Sequence, residues 1–190
     1  MLGFFFIELK QYITSKKNDA AWNAVLDKAG LSGKTYLNGL DYPDKEMVKL
    51  VVSEASMAGT PVGHVLREFG RFLGGDLFTA YRPLIDTSWK TLDFLEHVEE
   101  TIHKVVRARN RKAEPPRLVV NRITEREVMI DYRSKRKFCQ LAQGIVLGVA
   151  DHYGEKIELV EESCMHRGDP SCKIWVALEK TSVEEDIWGD

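Results

Sequence analysis

Apolar positions recur with helical spacing through the first two thirds of the chain and with a period of two after that. The run over residues 2–7 is broken by Glu8 and Lys10, as on a helix with one buried face. Asp19 and Gly30 bracket a predicted helix over 20–29 whose Trp22, Val25 and Leu26 share a side. Pro43 and Asp44 begin another, in which Met47, Leu50, Val51 and Ala55 keep helical spacing up to Gly59. Thr60 and Pro61 offer a cap and a pre-set first turn to a third, carrying Val65, Leu66, Phe69 and Phe72. Gly74 and Gly75 predict a break, followed by a shorter apolar piece with Leu77, Phe78 and Tyr81. A longer helix over 88–109 has Leu92, Leu95, Val98, Ile102 and Val106 as its inner stripe.

Pro115 and Pro116 end the helical part, because neither can continue a helix and the first forces its predecessor out of the α region. Beyond them the period changes. Over 126–136, Val128, Ile130, Tyr132, Ser134 and Arg136 alternate with Glu127, Met129, Asp131, Arg133 and Lys135, the pattern of a half-buried strand. A helix with Phe138, Leu141, Ala142, Ile145 and Val149 follows, and strands over 156–164 and 172–178 complete an antiparallel sheet. The tail from Thr181 is acidic and reads as frayed.

Composition sets limits on function. With 190 residues, 44% of them hydrophobic, the chain suits one domain or two subdomains sharing a core. Charged residues make up 29% but nearly cancel, leaving a formal net charge of -2, which argues against a general nucleic-acid binder. The basic cluster Arg107, Arg109, Arg111 and Lys112 is local and reads as a solvated helix end rather than a phosphate site. The run over 2–7 is too short for a bilayer and lacks a basic lead and a small-residue cleavage site, so no membrane role and a cytoplasmic location are expected. Cys139, Cys164 and Cys172 fit reduced thiols or a metal site better than a disulfide framework.

Tyr132, Ser134 and Arg136 stand two apart along the predicted strand, so they share one face, and that face is otherwise apolar. Two hydroxyls and a guanidinium fork there suit an anionic ligand with two carboxylates. The alternative is that the strand leaves the core at Ser134 and Arg136 is solvated. His103 adjoins the apolar Ile102 but stands among Glu96, Glu99, Glu100 and Arg107. It reads as a partly exposed surface histidine or, functionally, as a metal ligand through a neutral imidazole nitrogen. His64, His97 and His152 have no better case.

Taken in order, Ile102-His103, Pro115-Pro116 and Tyr132-x-Ser134-x-Arg136 resemble the H-NOX family, the haem domain also found in soluble guanylate cyclase. The similarity spans roughly residues 1–178 and includes Gly3, Phe69-Gly70-Arg71 and Ala142-x-Gly144-Ile145-x-x-Gly148. It implies an α+β fold in which an N-terminal helical subdomain packs on a C-terminal antiparallel four-stranded sheet with flanking helices, haem buried between them. The distal part would cover about 1–62, the proximal part about 63–178, and an acidic flexible tail 179–190. The resemblance implies haem b (iron protoporphyrin IX) held non-covalently, and no Cys-x-x-Cys-His exists for covalent attachment. It assigns the iron to His103, the haem propionates to Tyr132, Ser134 and Arg136, and distortion of the porphyrin to Pro116.

Oxygen-binding members resemble one another in a distal tyrosine where this chain has Leu141. Phe5, Leu9, Leu73, Leu141 and Ile145 would form an apolar distal wall, or are simply core. Bound oxygen draws negative charge and is held by a facing donor, whereas nitric oxide needs none, so a nitric oxide sensor that excludes oxygen and also takes carbon monoxide is expected. Some H-NOX proteins also resemble this chain in the cysteines of a zinc site linked to thiol oxidation. Cys139, Cys164 and Cys172 would be three ligands of a tetrahedral zinc. Glu161 stands near the place of the family's histidine ligand, so His166 is expected as the fourth; free thiols are the alternative.

Signalling would run through a weakened or broken His103–iron bond and relief of strain at Pro116. The output would go to a separate partner protein such as a histidine kinase or a cyclic-di-GMP enzyme. No catalysis is expected, since a haem peroxidase would need distal acid–base residues. A rival reading takes the segment from Cys164 to Cys172 as resembling domains that bind small hydrophobic ligands and carry a zinc site. Some of these are tied to porphyrin-pigment reduction, and the strand triad would then hold the ligand's carboxylate.

Overall fold

The computed structural model describes residues 1–111 and 113–179. Lys112 of the basic cluster and all but the first residue of the expected tail lie outside the described residues. The helical part comprises α1 (Gly3–Lys16), α2 (Asp19–Lys28), α3 (Asp44–Ala58), α4 (Val62–Tyr81), α5 (Thr91–Val98) and α6 (Lys104–Arg109). It is followed by β1 (Arg117–Thr124), β2 (Glu127–Arg133), α7 (Cys139–Tyr153), β3 (Ile157–Ser163) and β4 (Cys172–Leu178). The four strands form one antiparallel sheet in the order β1-β2-β4-β3. The architecture is the expected α+β fold.

Local chemistry explains most boundaries. Asn18, not Asp19, caps α2, its Oδ1 accepting the Ala21 N–H at 3.0 Å. Asp19 instead lies in the first turn, where its charge favours the helix N-terminus. Gly59 ends α3 with φ 65°, a left-handed position where glycine carries no Cβ penalty.

Three elements differ from their sequence pattern. First, α4 does not break at Gly74 and Gly75 but continues for 20 residues. Gly70 and Gly74 face Gly144 and Gly148 of α7 so closely that a Cβ on Gly74 would fall 2.8 Å from the Gly148 Cα. These glycines are a packing surface, and the contact supplies what the helix loses in propensity. A bidentate Arg71–Asp151 pair, with its Nε at 2.5 Å and Nη2 at 2.7 Å, spans the same crossing at the surface. Second, the helix expected over 88–109 begins at Thr91 and widens into a π-helical turn over Glu99–His103 before α6. Third, Arg117–Thr124 forms a strand, β1, that its run of apolar and polar residues does not mark. One of its faces is exposed and bears Val119 and Ile123, and the other is only half-buried.

Two apolar cores result. The first joins α1, α2 and α3 to the first half of α4 (Val65, Phe69, Leu73), with Leu141 of α7 against it. The second lies on the inner sheet face, where the β2–β4 register pairs Val128 with Val176, Ile130 with Ile174 and Tyr132 with Cys172. Because α4 and α7 contribute to both cores, their crossing is the spine between the two halves.

Candidate functional site

A cavity lies where the two cores meet. Its walls come from the start of α1, the second half of α4, the segment from α5 to α6, the Pro115-Pro116 strap, the inner faces of β1 and β2, and α7. His103, Pro116, Tyr132, Ser134, Arg136, Phe5, Leu141 and Ile145 all line it. Leu9 and Leu73, expected in the same wall, do not. Both are 0% exposed inside the first core. Their places are taken by Leu2, and by Leu77 and Tyr81 one and two turns further along α4.

His103 is not a surface residue, its side chain being 14% exposed. Its Nδ1 lies 2.8 Å from Oε2 of Glu99. Burial would raise the Glu99 pKa, but hydrogen bonds from His103 and Arg107 outweigh it and hold the carboxyl below its ordinary value. Glu99 is therefore ionised at neutral pH. A carboxylate only accepts, so Nδ1 carries the imidazole proton. Burial pushes the His103 pKa down, against the pull of Glu99, which favours the neutral ring. Nε2 is then a lone-pair donor on the cavity side.

The polar edge of the cavity is built differently from a simple strand face. β2 ends at Arg133, and Ser134–Lys137 form a turn in which the Lys137 N–H donates to the Ser134 carbonyl at 3.2 Å. Lys137 has φ 53°. Tyr132 is buried on the strand, and burial above all raises its hydroxyl pKa to about 12, so it stays a donor. Arg136 Nε donates to Asp44 at the head of α3 at 2.7 Å, and Nη1 to the Glu114 carbonyl. The Met1 ammonium sits 2.9 Å from the other Asp44 oxygen. Burial would raise the Asp44 pKa, but these two cations pull it below its usual value. Sequence reasoning does not single out Asp44, which stands 92 residues from Arg136.

A second cluster stands beside Tyr132, whose cross-strand partner on β4 is Cys172. Cys139, Cys164 and Cys172 are buried and free, with Sγ–Sγ distances of 3.7 and 3.8 Å from Cys164 to the other two. Burial raises the thiol pKa of Cys139 and Cys172. The fourth group beside them is Glu161, with all four ligand atoms within 4.8 Å of one another. His166, expected in that role, points out of the turn Met165–Arg167, its Nε2 2.7 Å from the Lys137 carbonyl. Alternation along β3 explains the exchange, since it turns Glu161 toward the half-buried face. Gln143 and Arg167 hold its carboxylate at 2.8 and 3.1 Å.

The fold and cavity thus define a domain with an apolar cavity between its two cores, offering one imidazole donor inside and a hydroxyl–guanidinium edge. A model of the family described as Haem-NO-binding matches residues 2–161. Among solved structures, an H-NOX protein from S. oneidensis in the Fe(II)NO ligation state shares 23% identity at a TM-score of 0.88, covering 95% of this chain and 100% of that one. An Fe(II) unliganded H-NOX protein from K. algicida shares 20% at a TM-score of 0.83, covering 96% of this chain and 98% of that one. No curated protein matches the chain. The chain belongs to the Haem-NO-binding (H-NOX) family, whose domains are haem-binding gas sensors. Its residues fit that group: a buried neutral imidazole for iron, apolar walls for a porphyrin, and donors at one edge for carboxylates. Among the described residues, no helix is long and apolar enough to cross a membrane.

Proposed function

We propose that this chain is a non-enzymatic sensor that holds haem b without a covalent bond and discriminates nitric oxide from oxygen. The observation that carries the reading is the cavity itself, where His103, Pro116 and the edge Tyr132, Ser134 and Arg136 meet around apolar walls. Haem, when bound, would supply an iron able to take a diatomic gas. His103 Nε2 would hold that iron, Tyr132, Ser134 and Arg136 would bind the two propionates, and Pro116 would press on the ring. Phe5, Leu141 and Ile145 line the gas side with hydrocarbon, which offers no hydrogen bond to the charge that oxygen would draw. A weaker hold by His103 would free the segment from α5 to α6 to shift relative to the sheet, and a partner protein would read that shift.

The spectrum of the haem-loaded chain tests this. The reduced protein shifts its Soret band with nitric oxide and with carbon monoxide, and stays unchanged in air. A colourless protein, or a Soret band that survives His103→Ala without added imidazole, overturns the haem reading. An air-induced oxygen spectrum overturns the selectivity alone.

The sulfur cluster favours a second reading, a structural zinc held by Cys139, Cys164, Cys172 and Glu161. Three thiolates and a carboxylate oxygen make a closed tetrahedral set, and loss of zinc would leave thiols open to oxidation.

A further inference from the structure

We propose that Glu99 is the positioning residue of the sensing histidine: its carboxylate fixes the His103 ring with Nε2 toward the cavity and sets how strongly that nitrogen holds the iron. The inference rests on the reading of His103 as the iron ligand.

Glu99 and His103 form an i,i+4 pair, and on a solvated helix such a pair is worth a few tenths of a kcal/mol and means little. Here three observations set it apart. Both side chains are largely buried, at 19% and 14% exposure. The pair spans a π-helical turn, Glu99–His103, rather than ordinary α-helix, a distortion that recurs at functional sites. One carboxylate also serves three partners. Oε2 takes His103 Nδ1 at 2.8 Å and the Leu118 N–H of β1 at 3.3 Å, while Oε1 takes Arg107 of α6 at 2.7 Å. The ring is therefore oriented by a group that is itself fixed on two sides.

The chemistry follows from the direction of the hydrogen bond. A carboxylate accepting Nδ1–H draws the proton toward itself and leaves electron density on the ring, which makes Nε2 a stronger donor to a metal. Arg107 works the other way, taking part of the Glu99 charge for itself. The iron–histidine bond is thus set by two opposed neighbours, one strengthening it and one moderating it. A stronger hold by His103 would resist release, so the Glu99–Arg107 balance would set how readily the sensor responds. The Leu118 contact adds a mechanical link, because a ring that leaves the iron and pulls on Glu99 also pulls on the edge strand β1.

The test is resonance Raman spectroscopy of the reduced, haem-loaded chain, reading the iron–histidine stretching band. That band is identified by its loss in His103→Gly and its return with free imidazole. Glu99→Gln keeps a neutral acceptor and moves the band to lower wavenumber; Glu99→Ala moves it further and speeds haem transfer to apomyoglobin by about tenfold or more. Arg107→Met moves the band to higher wavenumber. A merely structural role for Glu99 cannot produce shifts of opposite sign. A band unmoved in both Glu99 variants, or an Arg107→Met shift in the same direction as Glu99→Ala, overturns the inference and leaves the His103 reading standing. A wild-type band that persists in His103→Gly overturns both.

Discussion

Gly144→Ala is the sharpest test of how the two halves are held together. A Cβ at Gly144 would run into the Arg67 carbonyl and stand 2.8 Å from the Gly70 Cα, at least 0.6 Å inside ordinary contact at about 3.4 Å. Both obstacles are backbone of α4, so no rotamer change relieves them and the helices must separate at their crossing. Alanine gains about 1 kcal/mol of helix propensity over glycine. Forcing extra volume into a packed interface costs up to about 3 kcal/mol. The net loss is then about 2 kcal/mol, a fall in melting temperature of roughly 4–8 °C for a chain of this size. Gly75→Ala is the internal control, because it sits in α4, the other helix of the crossing, with nothing within 4 Å of where its new methyl would stand and no left-handed φ. There only the propensity gain remains, and the melting temperature should rise by roughly 2–4 °C. Thermal melts of the apo chain by circular dichroism at 222 nm read both variants. If Gly144→Ala melts at or above the wild type, or if Gly75→Ala falls with it, the glycine crossing is not what joins the two cores.

Glu8 is buried, and burial above all, then Asp76, pushes its carboxyl from 4.5 up to about 7. The folded state therefore keeps a proton that the unfolded chain gives up, and stability present below pH 4.5 is lost as pH rises through 7. Glu8→Gln should be more stable than wild type at pH 8, by up to about 3 kcal/mol, and no more stable at pH 4.5 in chemical unfolding; an equal gain at both would rule out ionisation as the cause. Leu141→Tyr puts a phenol in the gas-side wall, and the reduced haem-loaded variant should acquire an air-stable spectral shift that the wild type lacks. Cys164→Ala should abolish bound zinc in metal analysis, whereas His166→Ala should leave it unchanged.

Much of the fold is legible in the sequence because most elements carry their own signals. The α3 stripe of Met47, Leu50, Val51 and Ala55 and its closing Gly59 depend on neighbours within one or two turns, and they appear where the pattern puts them. The elements that depart from their pattern depend on distant partners. Gly74 and Gly75 look like a breaker until Gly148, more than seventy residues later, meets Gly74 across the crossing. β1 holds Asn121 and Arg122 in a run that pairs with β2 but buries little, so its pairing outweighs its pattern.

The site divides the same way. Residue type announces the imidazole, the guanidinium and the thiols, since few other side chains do that chemistry. Which groups they meet is not announced. Arg136 is held by Asp44, and the cysteines are joined by Glu161 rather than His166, through contacts that only the folded chain creates. Leu73 shows the reason most clearly. Leu73 and Leu77 lie one turn apart on the same side of α4, so helical phase cannot separate them. Because α4 runs out of the first core and into the second, one side of the helix meets two environments in turn. Leu73 falls before the junction and is sealed in the first core, while Leu77 falls after it and faces the cavity. Position along the helix decides which residue can touch a ligand, and that position is fixed only by where α4 crosses α7.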